Sequence, residues 1–190
     1  PSELGEMASL KMLDLTYCDQ LQQIPPNVIR RLSQLEELII DDSFWNWDVE
    51  GTTSEISNAN LPELNSLPRL VSLCLGLNSN DLPEGFVFPD LHSYFISIGE
   101  SCFTLLTTYG YSTYSRNLVI ADLNASMMNA LKSLFHTVEY MSIRSCEMEC
   151  IVDTTGGNHT VTFGNLVELH LVEMSCLRTI CEGPNQYEIF

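Results

Sequence analysis

Basic residues are scarce in this chain. Eight Lys and Arg stand against 25 Asp and Glu among 190 residues, a formal net charge of −17. The deficit is general: residues 1–95 carry 15 acids and 4 bases, and residues 96–190 carry 10 and 4. Phosphate binding needs clustered Lys and Arg, so no nucleic-acid partner and no anionic membrane surface are expected. An acidic balance of this size serves solubility or attracts a basic partner surface. The two lysines, Lys11 and Lys132, follow no glycine-rich loop, and GxxxxGK[ST] is missing, so this segment has no phosphate cradle of its own. No run of eighteen apolar residues exists and no membrane span is expected. Neither HExxH nor GxSxG is present, and His92, His136, His159 and His170 are far apart. Nothing resembles a nucleophile with a nearby base, so the expectation is a protein that is not an enzyme.

A disulfide framework is also missing. Seven cysteines, an odd number, are scattered from Cys18 to Cys181, which fits free thiols in a reducing compartment better than a paired scaffold. Cys146, Cys150, Cys176 and Cys181 can be drawn as a zinc set with spacings C-x3-C and C-x4-C. Structural zinc sites more often use C-x2-C, and no metal is expected. The chain starts at Pro1 rather than Met and Phe190 closes no obvious element, so it reads as a segment of a longer protein.

What is present is a recurring spacing. The pattern LxxLxL appears as Leu10-Leu13-Leu15, Leu35-Leu38-Ile40, Leu70-Leu73-Leu75, Leu91-Tyr94-Ile96 and Leu166-Leu169-Leu171. Weaker copies are Ser115-Leu118-Ile120 and Val138-Met141-Ile143. The middle residues are separated by 25, 35, 21, 24, 23 and 28 positions. Apart from the 35, which needs an insertion, these suit a leucine-rich repeat of about 20–29 residues. The expected fold is therefore α/β: a leucine-rich repeat solenoid of about seven repeats filling residues 1–190 as one array. A curved parallel sheet would form its concave side, with irregular or short helical segments on the convex side.

The step of two is a short strand, with Leu13 and Leu15 inward and Asp14 outward. Cys18, Ser43, Asn78 and Cys146 then fall where a small polar residue can satisfy the backbone of a turn. No single repeat buries its own apolar edge, so stacked repeats must bury one another's. "NASMMNALKSLFHTVEYM" predicts a helix with Ser126 as N-cap, "PPNVIRRLSQL" a short helix after Asn27, and "DLPEGFVFPDL" a loop. Insertions are expected near residues 44–60, 100–116 and 153–162, the last a small hairpin at Gly156-Gly157. Trp45 and Trp47, beside the acidic run from Glu36 to Glu55, either anchor the first insertion or stand exposed as interface residues.

The residue between the two inward positions of each strand should face the concave side. Those residues are Asp14, Ile39, Cys74, Phe95, Val119, Ser142 and His170, and outward positions beside them add Tyr17, Glu37, Asp41, Asp42, Asp122, Tyr140, Arg144, Glu168 and Glu173. An apolar centre of Ile39, Phe95 and Val119 with a charged rim is the usual anatomy of a protein interface.

Several longer stretches carry a resemblance: "SNANLPELNSLPRLVSL", "LPEGFVFPDLHSYFISIG", "YSRNLVIADLN" and "FGNLVELHLVEMSCLRTICEG". They resemble the leucine-rich repeat region of plant intracellular nucleotide-binding, leucine-rich repeat resistance proteins of the coiled-coil class. The resemblance implies a cytoplasmic immune receptor. Its repeats would perceive a pathogen effector, directly or through a guarded host protein, and would help hold the nucleotide-binding domain of the same polypeptide inactive. ATP or ADP would bind in that other domain, and no cofactor in this segment. The alternative is a generic leucine-rich repeat scaffold or substrate adaptor with no immune role. Asn124-Ala-Ser126 and Asn158-His-Thr160 match the glycosylation triplet and keep an extracellular location as the runner-up. Unpaired thiols and the lack of the LxGxIP pattern of plant cell-surface receptors oppose it.

Overall fold

The computed structural model describes residues 2–18, 20–21, 23–40, 44, 47–48, 58–83, 85–99, 114–123, 128–153 and 163–182. Among them, nine strands and one α-helix are joined by turns and short 3-10 helices. The strands are β1 (Met12–Asp14), β2 (Glu37–Ile40), β3 (Ser72–Leu77), β4 (Ser93–Ile98), β5 (Arg116–Ala121), β6 (Tyr140–Arg144), β7 (Cys150–Asp153), β8 (Glu168–Val172) and β9 (Thr179–Glu182), and the helix is α1 (Met128–Phe135). Seven of the strands form one all-parallel sheet in the order β1-β2-β3-β4-β5-β6-β8. Strands that lie beside one another in sequence order, each reached by a return segment, fit a solenoid-like α/β fold.

The period of two explains the core. Leu38 and Ile40 on β2, Leu73, Leu75 and Leu77 on β3, and Tyr94, Ile96 and Ile98 on β4 all point to one face and are buried. Leu118 and Ile120 on β5 and Met141 and Ile143 on β6 continue that layer. Fully burying each such side chain stabilises the fold by about 1.5–3 kcal/mol. The return segments close the core from the other side. α1 contributes Leu131, Leu134 and Phe135, and the following loop contributes Val138, all buried. The proposed cap of this helix, Ser126, lies outside the described residues. Residues 82–83 and 85–91 form no regular element, as the Pro and Gly content predicts, and Phe86 and Phe88 from this loop pack edge-on at 4.9 Å in the core. The predicted short helix after Asn27 is a 3-10 turn, Ile29–Arg31. It is tied to the 3-10 helix Leu61–Ser66 by the buried Glu63 carboxylate, which accepts hydrogen bonds from the N–H groups of Asn27 (2.9 Å), Arg30 (3.2 Å) and Asn60 (3.4 Å).

The register differs from the alignment of leucines. Leu13, Leu38, Leu73 and Tyr94 are lateral partners, as expected. Between β4 and β5 the match moves by two residues: Tyr94 lies beside Arg116, and Leu118 lies beside Ile96. A slip of two keeps every side chain on its own face, whereas a slip of one would turn the strand over. In the place where earlier strands carry an apolar residue, the chain has Arg116 followed across the sheet by Glu139, and their side chains pair at 2.9 Å. Glu139 also accepts the N–H groups of Ser115 (2.9 Å) and Arg116 (3.2 Å).

Two features were not expected. β7 and β9 form a second parallel sheet, with Cys150 opposite Thr179 and Val152 opposite Cys181. The turns that leave the strands contain residues in the left-handed region: Tyr17, Asp122, Ser145 and Glu173, with φ of 51–58°, and Gly99 at 78°. At Gly99 the conformation and the space both require glycine, because a Cβ there would collide with the carbonyl oxygen of Ala121. The ends of the first insertion return to the main body. Phe44, Trp47 and Ala59 are buried in the core, the Phe44 and Trp47 rings meet edge-on at 5.3 Å, and Asp48 pairs with Asn60 in a parallel bridge. Trp47 is thus an anchor and not an exposed interface residue; Trp45 lies outside the described residues, as does the predicted hairpin at Gly156-Gly157. No helix among the described residues is long and apolar enough to cross a membrane.

Candidate protein-recognition face

The sheet face opposite the core carries the outward residues, and the register sorts them into rows. One row runs Asp14, Ile39, Cys74, Phe95, Asn117, Tyr140, Glu168. The next runs Gly76, Ser97, Val119, Ser142, His170. The slip therefore divides the single row expected from the motif. Asp14, Ile39, Cys74 and Phe95 do line up, but Val119, Ser142 and His170 belong to the neighbouring row. Tyr140 and Glu168, expected to flank the row, are its true continuation.

Exposure divides the face again. Ile39, Cys74 and Phe95 are half-buried, and Asp14, Glu37 and Glu168 are exposed. Val119 is only 2% exposed, which corrects the expectation that it forms part of an open apolar centre. It stands between Ser97 and Ser142, themselves buried, with strands on both sides, and it lies outside the continuous core. The outward apolar surface is therefore Ile39 and Phe95, one on each side of Cys74. Tyr17 is 69% exposed, Asp122 and Glu173 are exposed on their turns, and Arg144 is half-buried. Asp41 and Asp42 lie outside the described residues.

Local bonds fix several of these groups. Asp14 accepts the Thr16 hydroxyl (2.5 Å) and the Thr16 N–H (2.9 Å), which hold its carboxyl below its ordinary value. Ser145 donates to Glu173 at 3.1 Å. At the β6–β8 end the face becomes aromatic. The Tyr114 ring stacks on Tyr140 at 6.4 Å, and Tyr140 packs against His170 at 5.2 Å. Glu168 joins them: its Oε1 accepts the Tyr114 hydroxyl at 3.1 Å and its Oε2 lies 3.5 Å from His170 Nε2. Asn117 is buried beside Tyr140 in the row and donates from Nδ2 to the Tyr114 carbonyl at 2.7 Å. Tyr114 and Asn117 were missed from sequence. The first falls in a stretch that reads as an insertion, and the second stands in a weak copy of the motif.

The cysteines take structural places. Among the described residues no two cysteines are joined by a disulfide. Cys146 accepts the Leu123 N–H (3.3 Å) and donates to the Arg144 carbonyl (3.2 Å), so it does satisfy a turn backbone, and burial pushes its thiol above its ordinary value. Asn78 serves a different turn: exposed, it donates from N–H and Nδ2 to Asp81 and closes the 3-10 turn Ser79–Asp81. No group of three or more His, Cys, Asp or Glu side chains among the described residues could hold a metal ion.

The architecture defines a parallel-sheet, repeat-like protein whose outward face presents residues from seven strands. Compared with known proteins, the chain is 29% identical over 150 residues to a disease resistance protein of Arabidopsis thaliana. The match covers 77% of this chain and 14% of that protein's length, so the chain spans about one seventh of its relative. No family model matches the chain. No solved structure matches it either.

Proposed function

We propose that this chain is a leucine-rich repeat segment of an intracellular plant immune receptor, and that it serves there as a protein-recognition and autoinhibition module. The similarity to a disease resistance protein over 77% of the chain is the observation that carries this reading. The sequential parallel sheet supports it physically, because it holds side chains from seven strands on one rigid surface. The half-buried outward side chains of Ile39 and Phe95 suit a protein partner better than a small molecule, which wants a closed pocket. The partner is a pathogen effector or a guarded host protein, and the nucleotide-binding domain of the same polypeptide, the place for ATP or ADP, is the second partner. The module needs no cofactor and performs no catalysis.

The test is made in the full receptor. Phe95→Asp and Ile39→Asp should impair effector-triggered signalling or release of autoinhibition while the receptor accumulates normally. Signalling unchanged in both variants would remove the recognition role. A parent with an F-box or other adaptor domain in place of a P-loop domain would move the reading to a substrate adaptor.

A further inference from the structure

We propose that the cluster of Tyr114, Tyr140, Glu168 and His170 takes an arginine side chain presented by a basic segment of the protein partner. This deepens the recognition reading above and rests on it. Three observations lead there. The first is shape. Three rings follow one another at 6.4 and 5.2 Å, and a carboxylate spans the outer two. A guanidinium is planar, stacks on ring faces and donates in a fixed fork to a carboxylate. The second is preorganisation. The Tyr114 hydroxyl holds Glu168 Oε1 at 3.1 Å, yet a carboxylate has about four acceptor positions, so bonds remain to be made. The Glu168 and His170 side chains are 48% and 45% exposed, which leaves them within reach of an incoming group.

The third is charge. The chain carries −17, and exposed Glu168 stands within the cluster itself at the start of β8, so a cation is drawn to it. Arg144 is the base among the outward residues of β5, β6 and β8. Asn117, buried beside Tyr140, has an Oδ1 without a hydrogen-bond donor, which adds an acceptor to a cluster already rich in them. Anionic ligands are repelled by the same field, and the Glu168–His170 pair offers too few donors for a metal.

The probes are fluorescent nona-arginine and nona-lysine peptides, titrated by anisotropy against the 190-residue chain. Arginine should bind about tenfold more tightly than lysine, because only its fork and plane use both carboxylate and rings. Tyr140→Ala and Glu168→Gln should each weaken the arginine peptide by about threefold to tenfold and narrow its lead over lysine. A Glu3→Gln/Glu6→Gln control removes two exposed charges elsewhere and should change affinity by less than about twofold. Equal affinity for both peptides, or an equal loss in the control, overturns the proposal in favour of diffuse attraction. Should a cluster variant fail to fold, the wild-type chain still decides. The ring protons of His170, assigned with His170→Gln, should shift at lower concentrations of arginine than of lysine peptide, and a resonance that stays still overturns the proposal. In the full receptor, signalling lost in Phe95→Asp but intact in Tyr140→Ala and Glu168→Gln would overturn the arginine site and leave the recognition reading standing.

Discussion

The two halves of the main sheet follow different rules. From β1 to β4 the leucine motif and the lateral register agree, and Leu13, Leu38, Leu73 and Tyr94 lie side by side. From β5 to β8 the motif runs two residues ahead, and the place beside Tyr94 passes to Arg116 and then Glu139. The first half is held by apolar contacts at every inward position. The second adds a half-buried ion pair at the entrance of the strands and, on the outward face, an aromatic cluster. The difference teaches that the motif specifies which face a residue takes but not which neighbour it meets.

The largest expected effect separates the two faces within one strand. Ile96→Asp places an unpaired charge in the core and should abolish folding, whereas Phe95→Asp, on the half-buried outward face, should leave the thermal melt largely intact. If Phe95→Asp unfolds the chain as badly as Ile96→Asp, the two faces are not distinct. Next comes the apolar half. Leu73 is 1% exposed, and Leu73→Ala should cost about 2–5 kcal/mol in chemical denaturation, from lost transfer energy and the cavity left behind. Val119 tests the correction made by the structure. Buried yet outside the core, it should lose about 1 kcal/mol as Val119→Ala, clearly less than Leu73→Ala. A loss equal to that at Leu73 would place it in the core, and no loss at all would mean that the site is open.

The smallest effect concerns the other half. Arg116 holds the Glu139 carboxyl below its ordinary 4.5, with the Ser115 N–H assisting and desolvation opposing. A depressed folded value contributes stability that is fully present above the unfolded value and is lost as pH falls through the folded one. Wild type should therefore be more stable than Glu139→Gln at neutral pH, and the gap should close as the solution is acidified below about 4.5. A gap independent of pH would assign the effect to shape rather than charge.

Faces were legible in the sequence because a period of two leaves a clear mark: Leu73, Leu75, Tyr94 and Ile96 read inward before any coordinate is known, and they are inward. The anchoring role of Trp47 was one of two open readings, which the burial of its ring against Phe44 decides. The slip at β5 was not legible. In a linear reading Arg116 and Glu139 look like ordinary surface charges, and nothing announces that they pair across 23 residues. The second sheet was hidden for another reason. "CIVD" and "TICE" are four-residue strands whose pairing depends on the return path of the chain. Tyr114 could not be separated from the Ser, Thr and Tyr around it, since only its place at the mouth of β5 gives it partners on β6 and β8. Whether the outward rows meet a partner is a property of two molecules, and a single sequence contains only one of them.

The slip between β4 and β5 also has an evolutionary consequence. Neighbouring strands can slide past one another in steps of two residues without exchanging interior for exterior, so paired insertions and deletions are tolerated where single ones are not. Each such step leaves the packed layer apolar but deals the outward side chains into different combinations: Phe95 stands beside Asn117 where the motif alone would give Val119. The sheet behaves like a vernier scale: one fixed set of residues yields several surface patterns. Sliding strands changes the surface pattern without replacing a single amino acid of the packed layer.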